Sequence, residues 1–96
     1  MSRTTLLGAD LSGADLSKAD LQKADFQQAN LQEAKLSGAK FTNSSFYAAN
    51  LQNVNLSGQN LSGVKFEMAN LTNANLSKAN LKKTNFGLSD LTGANL

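Results

Sequence analysis

Leu or Phe stands at every fifth position from Leu6 to Leu96, nineteen times without a miss, and Met1 extends the register to the first residue. No ordinary element accepts this period. On a helix, a step of five lands about 140° past a full turn, so the apolar residues would wind over the whole surface. On a strand, an odd step sends successive residues to opposite faces. The pattern needs a chain that turns once per repeat and always brings its fifth residue inward. It therefore predicts a solenoid over residues 1–96, a single domain.

We call the Leu/Phe position the centre. Two residues before it, twelve of nineteen positions are Ala; the others are Thr4, Ser44, Val54, Gln59, Val64, Thr84 and Ser89. A small residue recurring near a large one predicts a second inward column in a narrow core. Directly before the centre stand nine Asn, five Asp and three Lys (Lys35, Lys40, Lys65). The two positions after the centre are mostly Ser, Thr, Gln, Lys, Asn and Gly. Six of the seven Gly fall two after the centre, and Asn43, Asn53 and Asn73 join them. Gly and Asn tolerate positive φ, so this position is read as the corner. Pro is absent, as stacked coils exchanging backbone hydrogen bonds require.

A second period lies on the first. Phe26, Phe46, Phe66 and Phe86 are twenty apart, and only Phe41 stands aside. Four repeats per coil would stack these Phe with Leu6 along one side. Coils about 4.8 Å apart would then build a rod roughly 25 Å long.

Units such as Ala14-Asp15-Leu16-Ser17-Lys18 and Ala74-Asn75-Leu76-Ser77-Lys78 resemble the pentapeptide repeat family, and the resemblance runs from Thr4 to Leu96. It implies an all-β fold: a right-handed quadrilateral parallel β-helix of about five 20-residue coils, here with no cap helices. It also implies a bacterial and especially cyanobacterial setting. The family's best-known members inhibit DNA gyrase by resembling duplex DNA through strong negative charge. This chain departs from them, with a net charge of +2 and a pI near 9.1. DNA mimicry is the alternative reading, and the charge disfavours it.

Chemistry is sparse. The chain has no His and no Cys, which removes the commonest general base, metal ligand and nucleophile. Asp10, Asp15, Asp20 and Asp25 follow one another around one coil, each on a different side, so they diverge. No acid/base pair and no Ca²⁺ site is expected from them. Ser17, Ser37, Ser57 and Ser77 align in one column without a base, which predicts turn residues rather than nucleophiles. An ice-binding hydroxyl ladder is a further alternative, poorly matched by a single file of Ser flanked by Lys. The expectation is a protein that is not an enzyme, with no cofactor, no metal and no small-molecule substrate. The longest apolar runs are too short to span a membrane, and the first residues lack a signal-peptide core, so a cytoplasmic protein is expected.

The surface is uneven. Five residues assigned to each side give net charges of −1 on the Phe side, then −3, +2 and +4 around the rod. The basic sides are a further alternative as a nucleic-acid surface, disfavoured by modest charge and few outward aromatics. Outward apolar residues are sharper. Apart from the two inward columns, the large ones are Leu7, Tyr47, Met68 and Leu88, and all belong to the Phe side. They are the candidate protein-binding residues. The repeats also run to both termini, so the expectation is either a piece of a longer protein or a homodimer through an uncapped terminal coil. Gln59, in the Ala column, predicts a widened coil or a side chain turned outward. The resulting reading is a rigid interaction module that binds a protein partner or itself.

Overall fold

A computed structural model of the chain describes residues 5–96. Met1, Arg3 and Thr4, which the register places in the first coil, lie outside the described residues. The corners are built first, by the local chain. The amide of each residue three past a centre donates to that centre's carbonyl, as Ala9 does to Leu6 at 3.0 Å and Ala74 to Leu71 at 3.0 Å. The residue two past the centre has positive φ at every one of the eighteen described corners, Gly8 through Gly93. A hydrogen bond of this span with positive φ at the third residue is the type II turn. Six corners use Gly, and twelve place a non-Gly residue there, among them Lys18, Glu33, Met68 and Leu88.

Four such corners bring the chain back over itself. Parallel bridges join Thr5 to Asp25, Asp10 to Asn30, Asn50 to Asn70 and Asn75 to Asn95, always twenty residues apart. The second period read from the Phe spacing is thus the coil. The straight part of each side is short: bridges are single residues rather than extended strands. Stacking makes a stubby body of 29 × 22 × 22 Å, longer along one axis than across it.

Nearly every backbone donor in a repeat has a partner, and tracing them explains the sequence. The centre amide donates to the next coil, as Leu31 to Asn50 O at 2.7 Å. The corner amide does the same, as Gln28 to Tyr47 O at 2.8 Å. The residue before the centre donates back to the previous coil, as Asn70 to Ala49 O at 2.9 Å. The Ala-column amide closes the turn. One donor per repeat remains, on the residue after the centre. The Asn or Asp two residues earlier captures it with Oδ1, as Asn50 does for Gln52 at 3.0 Å and Asp15 for Ser17 at 3.0 Å. The dominance of Asn and Asp before the centre follows from this Asx turn.

The core is the two inward columns. Leu31, Leu51, Leu61 and Leu71 are wholly buried, and Ala24, Ala29, Ala49, Ala69 and Ala74 are 1% exposed. Phe26, Phe46, Phe66 and Phe86 stack at centroid separations of 4.6, 5.3 and 5.4 Å with near-parallel rings. Phe41, from the adjacent side, meets Phe46 edge-on at 5.6 Å and 64°. Both arrangements satisfy the ring quadrupole. Centres in the outer coils, such as Leu11, Leu81 and Leu91, are only partly buried, because a coil covers them on one side alone.

Candidate interaction surface

Leu7 and Tyr47 occupy the position after the centre on the Phe side, and Met68 and Leu88 the corner beside it. Since coils repeat at twenty, each pair falls in one column of that side. All four are exposed: Tyr47 41%, Met68 48%, Leu7 58% and Leu88 87%. The described large hydrophobic residues that are exposed are these and Leu96. The solenoid thus carries the four expected residues outward on one side, and none serves the core.

Met68 and Leu88 do so at a local cost. Their φ values, 61° and 56°, lie in the left-handed region, where a Cβ crowds the following carbonyl. Gly or Asn would sit there more easily and would expose less oil. Beside Tyr47 a shallow cleft of about 490 Å³ is lined by Lys23, Asp25, Lys65 and Glu67, so the apolar column has a rim of both charge signs.

The carboxylates have structural work. Asp10, Asp15, Asp20 and Asp90 each accept from the residue two ahead. The Ser12 hydroxyl and amide hold Asp10 below its ordinary value of 3.8, and Ser17 and Thr92 do the same for Asp15 and Asp90. For Asp20 the Gln22 amide is the larger cause. Among the described residues, no three carboxylates gather where they could hold a metal ion.

The Ser column divides. Ser57 and Ser77 turn their hydroxyls to Asn55 and Asn75 at 2.7 Å, as turn residues do. Ser17, Ser37 and Ser57 also line one cleft with Gln59. Gln59 neither points fully outward nor joins the core. Half-buried, it donates from Nε2 to Leu36 O at 2.8 Å, reaching down into the coil below. Sequence reasoning missed the Asx turns. Their signal was present: acceptors alternate with Ser, Thr and Gln two residues later.

Among the described residues no helix is long and apolar enough to cross a membrane. Comparison with known proteins places this geometry among its relatives. The family description "Pentapeptide repeats (8 copies)" matches residues 1–32 and 9–47, and "Pentapeptide repeat region" matches residues 29–96. A search among curated proteins returned no match. Among solved structures, the chain is similar to the pentapeptide repeat protein Rfr23 of the cyanobacterium Cyanothece 51142. The identity is 34% and the TM-score 0.59, covering 90% of this chain and 63% of that one. A pentapeptide repeat protein from the thylakoid lumen of Arabidopsis thaliana is 38% identical, with TM-score 0.49, covering 95% and 63%. QnrB1, a plasmid-mediated fluoroquinolone resistance protein, is 22% identical, with TM-score 0.51, covering 98% and 63%; that likeness is one of fold. The chain spans less than two thirds of the length of each of these structures.

Proposed function

Because this chain belongs to the pentapeptide repeat family, we propose that it is a non-enzymatic interaction module, a rigid right-handed quadrilateral β-helix of just under five coils that docks a protein through its Phe side. The observation that carries this reading is the confinement of Leu7, Tyr47, Met68 and Leu88 to one side of four. Corners of positive φ suit Gly or Asn best and otherwise mostly carry polar side chains here, yet Met and Leu hold two of them, both solvent-facing. Folding gains nothing from them there, so a surface role accounts for them better. Stacked columns make a flat, fixed platform, and presenting side chains on a rigid body costs little ordering entropy on binding. An aromatic and a Met among exposed aliphatics, rimmed by charge, is the composition of an interface centre.

The competing reading, interaction with gyrase as a DNA mimic, finds little support in a surface with net charge +2. A purified gyrase supercoiling assay should show no inhibition. The direct test is the double substitution Tyr47→Ser and Met68→Ser. Loss of partner capture, or a fall in solution mass where the partner is a second copy, is the expected result. If neither changes, the Phe side is not the docking face.

A further inference from the structure

The ladder between coils is continuous among the described residues except in one place. Between residues 34–41 and 53–60 five backbone bonds that the register calls for are missing. They are Leu36 N to Asn55 O, Gly38 N to Ser57 O, Phe41 N to Asn60 O, Asn55 N to Ala34 O and Asn60 N to Ala39 O. The bridges 35–55 and 40–60 are missing with them, while 15–35, 20–40, 55–75 and 60–80 are intact. Gln59 sits at the centre of the break. Every other residue of its column (Ala19, Ala39, Ala79) is Ala, too short to intrude. The Gln59 amide reaches the Leu36 carbonyl at 2.8 Å, and the coils part around it.

The same stretch lacks its Asx acceptors. Lys35 and Lys40 stand where Asn or Asp would cap the next amide, so the amides of Ser37 and Thr42 have no side-chain acceptor. Leu36, Ser37 and Gly38 therefore offer three consecutive unpaired N–H groups at one turn. Successive amides at a turn form an anion-binding concavity. A cleft of about 450 Å³ opens there, lined by Ser17, Lys35, Ser37, Ser57 and Gln59. Lys35 is its single charged lining residue. A smaller cleft of about 420 Å³ lies across Gln59, with Lys40 as its one charge.

We propose that the slot over Leu36, Ser37 and Gly38 binds a small oxyanion of the phosphate type. The lower lip supplies amide donors, and Lys35 and Ser37 line the same cleft. The upper lip supplies the released carbonyls of Asn55 and Ser57, which repel a bare anion. Monohydrogen phosphate answers both lips, since its P–OH donates while its other oxygens accept. Sulfate at neutral pH has no such donor, and the slot discriminates on that ground.

Amide NMR spectra of the full chain, titrated with sodium phosphate at fixed ionic strength, test this. Saturable shifts are expected at Leu36, Ser37 and Gly38. Sulfate should need roughly tenfold more, because a carbonyl is left unpaired, and chloride should give none. Lys35→Asn should weaken phosphate about fivefold, because it removes the cleft's one charge and restores an Asx acceptor for the Ser37 amide. Gln59→Ala should abolish the response by closing the ladder. Both substitutions install the commonest residue of their column, and the spectrum itself reports folding. Equal responses to all three anions, no response, or undiminished binding in both variants would overturn the proposal. So would hydrogen exchange at the five ladder amides as slow as at their neighbours, since the slot would then be closed in solution.

Discussion

Asn and Asp crowd the position before each centre because one amide per repeat has no backbone acceptor within reach. Removing that acceptor strands it. Asn70→Ala, at a half-buried position before a centre, should cost about 1 kcal/mol in denaturant unfolding. The Asp versions of the cap make stability pH-dependent. Asp10, Asp15, Asp20 and Asp90 have folded pKa values below the ordinary 3.8, because the carboxylate form accepts the hydrogen bonds. Their contribution is complete above about 3.8 and is lost as pH falls through the lower folded values. An acid titration followed by circular dichroism should show this loss, and replacing all four with Asn should flatten it. Ser44 is the opposite case. It is wholly buried, and its hydroxyl has no hydrogen-bond partner. Ser44→Ala restores the column's usual residue and should raise stability by about 1–2 kcal/mol, read as a higher Tm.

The corner and the ladder set the behaviour of the elements. Every corner demands positive φ, yet most are not Gly. Where Gly does occur it can have a second reason. At Gly63, φ is 69° and a Cβ would fall on the Asn43 Oδ1 of the coil below. Corners facing solvent tolerate side chains at the cost of backbone strain. Leu88→Asn should therefore stabilise the fold by about 1 kcal/mol while removing an apolar residue from the proposed docking face. Opposite signs for stability and binding in one variant would separate the two roles. The break at Gln59 is the ladder's weak point. Gln59→Ala should recover several backbone bonds and stabilise by about 1–3 kcal/mol in urea unfolding.

Over the whole molecule, burial rises toward the middle coils. Leu and Phe centres from Leu21 to Leu76 are buried, whereas those nearer either end are partly covered. A solenoid is held by nearest-neighbour interfaces, so local opening should start at the outer coils. Hydrogen exchange should be slowest in the middle. Phe46 touches Phe26, Phe41 and Phe66 and is 1% exposed, so Phe46→Ala should cost about 3–5 kcal/mol. Phe86 has one stacked neighbour and is partly exposed, and its loss should cost clearly less.

The five-residue beat determined the solenoid by itself, because no helix or strand can keep every fifth residue inside. The Phe spacing carried the twenty-residue coil, and with it the grouping of Leu7, Tyr47, Met68 and Leu88 on one side. These are consequences of period alone, and period is linear information. Two things needed the third dimension. The Asx acceptor before each centre acts on an amide whose lack of a backbone partner appears only when the stacked coils claim the rest. The break at Gln59 arises between residues about twenty apart, where one long amide replaces an Ala and prises apart two segments. In the sequence Gln59 was an oddity in a column; the stacked coils turned it into a slot, because only stacking gives the ladder bonds that it interrupts.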